Sequence, residues 1–344
     1  MPPAISIVMP CFNAQSSLEN AVFSMCAQTV GDWELLLVDD GSTDDSPRLM
    51  SLLARHDARI RVMELPHVGI VSALQRGIRE STALYIARMD ADDVAHPSRL
   101  EKQFELMQSD SALALCGTQV RAIGDGITDG RQRYIDWLNG LTSHDEIVRE
   151  IFVECPVAHP TFFMRREAYL RVGGYRDCAW PEDYDLIMRL WLDGGRFANV
   201  DDILLDWHDT PDRLSMTDPR YNEGAFRALK RHFLRESGLL VPGPDGVSTS
   251  RGRPVQFYQW GAGEVGKRWL REWISVRPAG VVDINERKIG EIIHDTPVVP
   301  PDELPPPGQV FVLIAVGTLG ARDLIRGWLL PRGYVEGVDF LFVA

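Results

Sequence analysis

Short apolar runs closed by turn-forming residues alternate along the first hundred positions with stretches where apolar residues recur every three or four places. Ile5 to Met9 is an apolar run ending at Pro10, and Trp33 to Val38 is a continuous one that enters Asp39-Asp40-Gly41-Ser42. Ile60 to Leu65 and Leu84 to Met89 repeat the pattern, the second entering Asp90-Ala91-Asp92-Asp93. Continuous hydrophobicity closed by turn residues predicts buried parallel strands. Between them, Ser16 and Glu19 form a capping-box pattern ahead of Leu18, Val22 and Met25. Pro47 to Arg55 and Ile70 to Glu80 read as helices, and Pro97-Ser98 opens a third carrying Leu100, Phe104 and Met107. The expectation is a run of βα units, an α/β fold with a parallel or mixed sheet covered by helices.

Gly117 to Glu154 is weakly patterned and rich in Gly and Asp. His159 to Met164 reads as a strand, Glu182 to Leu192 as a helix behind Pro181, and Asn222 to Leu234 as another helix. Residues 237–254 are dense in Gly, Pro and Ser and are expected to link two domains, 1–236 and 255–344. The βα pattern then restarts. Val255 to Trp260 is a strand, Gly261-Ala262-Gly263-Glu264-Val265-Gly266 opens a helix through Trp273, and Gly280 to Asp283 is a second strand. A proline-rich loop is expected over Thr296 to Gly308, a strand over Val310 to Val316 and a helix over Ala321 to Leu330.

Composition narrows the function classes. The chain has 344 residues, 45% hydrophobic and 25% charged, with net charge −13. This is ordinary for a globular protein of two domains. The acidic balance argues against nucleic acid, whose phosphates call for clustered Lys and Arg. Cys11, Cys26, Cys116, Cys155 and Cys178 are odd in number and form no CxxC pair, which predicts a reducing compartment. No signal peptide and no apolar run of membrane-spanning length is read, so the cytoplasm is the expected location.

Asp39-Asp40 and Asp90-Ala91-Asp92-Asp93 both fall at the ends of predicted strands, where open α/β sheets bind ligands. Crowded carboxylates repel one another unless a cation joins them. Asp90 with Asp92 therefore reads as a Mg²⁺ or Mn²⁺ site with positions left for phosphate oxygens. Asp39, Asp44 and Asp93, taken singly, read as turn and cap residues. Glu182-Asp183, with Asp185, fits either acids favoured at a helix N-terminus or a general base for an incoming hydroxyl.

Three segments carry a resemblance. Val8-Met9-Pro10-Cys11-Phe12-Asn13, Leu37 to Asp44 and Ile86 to Asp93 resemble, in order and spacing, the signature segments of family 2 glycosyltransferases. His159-Pro160-Thr161, Gly173-Gly174-Tyr175 and Glu182 to Leu186 are similar to that family's acceptor-side segments. The resemblance covers roughly the first 215 residues and implies a GT-A fold, a nucleotide-binding α/β sandwich. It also implies inverting sugar transfer from a nucleotide-sugar donor, expected to be a UDP-sugar, to a glycan or lipid-linked acceptor in surface polysaccharide or glycoconjugate synthesis. A lipid-linked acceptor would bring the chain to the inner face of the membrane. By position, Asp92 and Asp90 match the metal-binding DxD, with Asp90 nearer the ribose. Pro10, Phe12, Asn13 and Asp39 or Asp40 match the base- and ribose-holding segments. Asp183 matches the base and Glu182 its support. Trp207-His208 stands where many relatives have Tyr-Arg. His208 is either a metal or phosphate ligand or a structural histidine.

The Gly261, Gly263, Gly266 fingerprint with Asp283 after the next strand admits two readings: a second nucleotide site, or glycines that permit tight packing. The stretch 255–344 resembles Rossmann-like accessory domains of bacterial surface-sugar enzymes and is expected to hold about one mononucleotide-binding half. A non-catalytic nucleotide-binding scaffold is the competing reading of the whole chain, and an NAD-dependent oxidoreductase a third.

Overall fold

The computed structural model describes residues 3–124, 127–209, 213–243, 246–248, 254–272 and 276–344. The chain divides into two compact units, Met1–Val148 with Cys155–Tyr221, and Arg149–Glu154 with Asn222–Ala344. The division falls ahead of the expected linker. The helix Glu223–Glu236, expected in the first domain, groups with the second unit, and residues within 237–254 form strands of that unit's sheet.

The first unit is built on β1 (Ile5–Cys11), β2 (Trp33–Asp39), β3 (Ile60–Glu64), β4 (Tyr85–Arg88), β5 (Val94–Ala95), β6 (Leu113–Ile123), β7 (Phe163–Arg165) and β8 (Arg196–His208). The sheet order is β3-β2-β1-β4-β7-β6-β8-β5. β3, β2, β1 and β4 run parallel, whereas β7 is antiparallel to β4 and β6 and makes the sheet mixed. Every residue of β1 and β2 is buried, as expected of strands covered on both faces. Pro10 fits inside β1 because β1 pairs with β4 only as far as Val8↔Arg88, so its missing N–H falls beyond that ladder.

The helix Ile70–Glu80 matches its expected bounds and lies close against the sheet. A Cβ on Gly77 would come within 2.5 Å of Val8 Cγ1 and 3.1 Å of Val38 Cγ2. The capping box at Ser16 does not form. The helix Leu18–Cys26 starts behind Ser17 without a side-chain cap. Its entry loop is instead fixed by the following loop, with Ala14 N–H donating to Ser46 Oγ (2.9 Å) and Gln15 N–H to Asp44 Oδ2 (3.0 Å).

The described residues of the weakly patterned middle hold most of β6 and the helices Asp129–Asn139 and His144–Glu150. The strand expected at His159 starts as a 3₁₀ turn over His159–Thr161 and becomes β7 only at Phe163.

The second unit contains β9 (Val241–Gly243), β10 (Gly246–Ser248), β11 (Pro254–Trp260), β12 (Gly280–Val282), β13 (Ile292–Ile293), β14 (Thr296–Val299), β15 (Val310–Ile314) and β16 (Phe340–Phe342). Thus the expected proline-rich loop contains β14, and the expected linker contains β9 and β10, which extend antiparallel from β11. Residues 244–245 and 249–253 of that linker, and the expected helix end at Trp273, lie outside the described residues. β14, β12, β11, β15 and β16 are mutually parallel, so five strands stand where about half a nucleotide-binding fold was expected. Among the described residues, no helix is long and apolar enough to cross a membrane.

Gly77→Val is expected to lower the stability of the first unit by about 1–3 kcal/mol, because the added methyls have no space between Val8 and Val38. Chemical denaturation checks this. An unchanged midpoint would mean that the helix does not sit so close to β1 and β2.

Candidate active site

The ends of β1, β2 and β4 place the residues singled out from sequence. Asn13, just past β1, has φ 51°, a left-handed conformation that Asn tolerates better than most residues. Its N–H donates to Ser42 Oγ (2.9 Å) and its Oδ1 accepts from Thr43 N–H (2.8 Å), lacing the β1 loop to the β2 loop. Phe12 beside it is half exposed and stacks on His67 with ring centroids 4.1 Å apart.

The two β2 aspartates differ. Asp40 accepts from Val68 N–H (2.8 Å) and Gly69 N–H (2.9 Å) and lies 3.0 Å from His67 Nδ1. Its carboxylate thus ties the end of β2 to the loop entering the helix Ile70–Glu80. Asp39 receives only the Ser42 N–H, at 3.2 and 3.3 Å from its two oxygens.

After β4, Asp90, Asp92 and Asp93 each offer a carboxylate oxygen within 4.8 Å of the others. Burial and the charge of Asp90 raise Asp92 to about 6. Asp93 is pushed well above the ordinary carboxylate range by burial and by both neighbours. Arg88, 3% exposed at the end of β4, pairs with Asp90. His208, at the end of β8, donates its backbone N–H to Asp93 Oδ1 (2.8 Å). Among the described residues, Asp93 Oδ2 and His208 Nδ1 are buried without a hydrogen-bond partner. Three carboxylate oxygen donors gathered after β4 fit a hard divalent cation. Asp93, read from sequence as a turn residue, therefore belongs to the cluster.

A second acidic pair opens the helix Glu182–Leu192. Glu182 is 1% exposed and both of its oxygens accept from Tyr221 OH, at 3.0 and 2.8 Å. Burial and the charge of Asp183 raise it to about 7. Asp183 is half-buried and accepts from Tyr184 N–H (2.7 Å). Asp185 is structural: it is fully buried between Arg176 and Arg189 and also accepts from Trp180 Nε1.

A buried network connects the two acidic groups. His159 Nε2 and Tyr175 OH share a hydrogen bond of 2.8 Å, and His159 Nδ1 lies 3.8 Å from Glu182 Oε1. The Arg88 charge bears on both His159 and Tyr175, and burial holds the imidazole neutral. Gly174, φ 68°, brings the chain round to Tyr175, and a Cβ there would meet the Tyr169 ring at 2.6 Å. Arg99, fully buried, donates to Arg88 O (2.6 Å) and Pro160 O (2.7 Å), clamping the end of β4 to the His159 turn. Arg88, Arg99 and Tyr221 were not singled out from sequence, and Tyr175 only as part of the Gly173-Gly174-Tyr175 segment. A charged residue inside the apolar run of β4 was the signal for Arg88, since a buried charge needs a partner.

Residues 6–173 match the family model described as Glycosyl transferase family 2. Over that segment the first unit matches that family. Glu182, Asp183 and His208 lie beyond the matched segment, so their placement rests on the geometry above. The chain is 29% identical over 208 residues to the putative glycosyltransferase EpsE of Bacillus subtilis, covering 59% of this chain and 72% of that protein. It is 28% identical over 206 residues to the amylovoran biosynthesis glycosyltransferase AmsE of Erwinia amylovora, covering 58% and 74%.

Among solved structures, S. aureus TarS 1-349 in complex with UDP-GlcNAc superposes with a TM-score of 0.55 at 15% identity, covering 69% of this chain and 66% of that one. The mannosyltransferase PcManGT of Pyrobaculum calidifontis, in complex with GDP-Man and Mn²⁺, gives 0.50 at 15%, covering 69% and 63%. The chain thus spans about two thirds of these structures, and the likeness establishes a GT-A fold.

The raised carboxyls have a consequence for stability. A folded chain whose Asp92 titrates near 6 and Glu182 near 7 keeps protons that an unfolded chain has released. The stability these groups contribute is present at low pH and is lost as pH rises from about 4 to 7. In EDTA, Asp92→Asn is therefore expected to remove part of the fall in melting temperature between about pH 5 and 7. Melting curves of both proteins across that range check this, and identical pH slopes would show that Asp92 does not titrate there.

Proposed function

We propose that the first unit transfers a sugar from a UDP-sugar to a hydroxyl acceptor with inversion, using Mn²⁺ or Mg²⁺, in the assembly of a surface polysaccharide or glycoconjugate. One observation carries this reading: three carboxylates crowded after β4, with a buried oxygen of Asp93 unpartnered among the described residues, and buried contacts running from them through Arg88 and His159 towards Glu182, the neighbour of Asp183. A scaffold that had lost catalysis would have no need of this repulsive cluster. The biosynthetic setting is supported by the amylovoran relative.

Asp90, Asp92, Asp93 and His208 are the residues that would hold the cation. A divalent ion there would supply Lewis-acid compensation for charge on the leaving diphosphate. Of the two β2 aspartates, Asp39 keeps acceptor capacity for a nucleotide base, because Asp40 already receives two backbone donors and faces His67. The exposed Phe12–His67 stack offers the base an apolar face.

In the transfer step the acceptor oxygen attacks the anomeric carbon from the side opposite the diphosphate. The bond to the diphosphate breaks with its electron pair, and the hydroxyl proton passes to Asp183. Exposure favours Asp183 as the base: Glu182 is enclosed beneath Tyr221, whereas Asp183 is half-buried. Glu182 and Tyr221 hold the helix start that positions Asp183.

Asp92→Ala is expected to abolish metal-dependent UDP binding. Calorimetry with UDP and Mn²⁺ checks this, and unchanged affinity would remove the cluster from donor binding. Asp183→Asn is expected to leave donor binding intact and to lower turnover by about a hundredfold or more. Near-normal turnover of an acceptor would take the base role away from Asp183.

A further inference from the structure

The second unit has a cavity that sugar transfer by the first does not use. Its parallel strands lie in the order β14-β12-β11-β15-β16, which in chain order is 3-2-1-4-5. Strand order reverses at β11 and β15, and open sheets of this kind bind ligands beyond the carboxyl ends of the strands at that point. A cavity of about 530 Å³ lies there, lined by Gly261 after β11, Asp283 after β12 and Ala315 after β15. That volume is within the range of small-molecule sites.

The three glycines of the loop after β11 divide by purpose. A Cβ on Gly261 would meet Ala315 O at 2.5 Å, and one on Gly266 would meet Gly261 O at 1.8 Å. Both are required by the packing of the unit itself. A Cβ on Gly263 would meet nothing within 4 Å, and Gly263 lines the cavity. Its bareness serves no internal packing and leaves backbone open to a ligand. The loop is held by Asp283, which accepts from Ala262 N–H (2.9 Å), Asn285 N–H (2.9 Å) and Lys288 Nζ (3.3 Å). A carboxylate has about four acceptor positions, so one remains for a ligand hydroxyl. Ile284, Leu319 and Leu324 line the cavity while 74–83% exposed, an apolar rim that folding alone does not explain. The Glu264 side chain, at the first turn of the helix Glu264–Glu272, is paired with Lys267.

We propose that the second unit binds a nucleoside diphosphate group in this cavity. The diphosphate lies over Gly263 at the helix N-terminus, a ribose hydroxyl meets Asp283, and the base rests on the Ile284–Leu319 rim. Backbone N–H groups and Lys288 supply the positive partners, so binding needs no divalent ion.

The test is calorimetry on the full chain in EDTA with UDP, ADP and NAD⁺, which share the group and differ in base and in what the diphosphate carries. At least one is expected to bind more tightly than about 1 mM, and the preferred one names the source. Asp92→Ala is expected to leave this binding unchanged, and Gly263→Leu to weaken it by about tenfold or more. Leu319→Asp, at an exposed position where folding is not at risk, is expected to weaken it severalfold. Failure of all three probes to bind, or equal binding by wild type and both second-unit variants, would overturn the proposal. So would loss of the binding in Asp92→Ala, which would place it in the first unit. Loss of metal-dependent UDP binding alone, with EDTA-resistant binding retained, bears only on the proposed transferase site.

Discussion

Three carboxylates within 4.8 Å of one another repel, and the first unit is arranged around that repulsion. Exposed acids would be screened by water, but Asp93 is buried and Asp92 half-buried, which makes their mutual charge costly. The protein offsets part of the cost itself: Arg88 pairs with Asp90, and His208 N–H binds Asp93. The remainder appears as raised proton affinity and an unpartnered oxygen. A cluster that its own neighbours leave under-compensated is poised for an external cation.

Arg88 carries this constraint into the rest of the unit. Its buried charge faces Asp90 on one side and the His159–Tyr175 pair on the other. Next to a guanidinium, in a site that already penalises charge, His159 is neutral and can bond Tyr175 while approaching Glu182. Arg99 bonds both β4 and the His159 turn, so hydrogen bonds tie the aspartate cluster to His159, whose Nδ1 lies 3.8 Å from Glu182. Buried arginines at such junctions are unforgiving, because loss of one partner leaves a charge uncompensated.

Sequence pattern was most informative where one segment decides its own structure. Ile70–Glu80 and Glu182–Leu192 came out with their expected bounds because their periodicity is strong and their flanks are clear. β6 and β8 were missed for a shared reason. β6 contains Gly117, which reads as a breaker but is required where a Cβ would strike Asn199 Oδ1 at 2.4 Å. β8 contains the exposed Asp201-Asp202, and its register with β6 shifts around Thr118 and Gln119. The same division holds at the site. The Asp90/Asp92 spacing is local and visible. Tyr221 reaching Glu182 across 39 positions, and Gln75 Nε2 donating to Tyr175 O across 100, leave no mark in either segment.

The two units present opposite electrostatic conditions to a diphosphate. The first lines its strand ends with acids, so any phosphate there must share a cation with them, and nucleotide affinity is tied to metal. The second places bare backbone at Gly263, a helix N-terminus and Lys288 at its strand ends; of the acids lining its cavity, Asp283 is largely occupied in bracing the loop and Glu264 is paired with Lys267. The free N–H groups of a helix N-terminus favour an anion without help. Under the readings proposed, one crevice is suited to a bond that must break, since a cation can follow charge onto the leaving group. The other is suited to holding a nucleotide unchanged, since fixed dipoles stabilise the bound diphosphate as it stands.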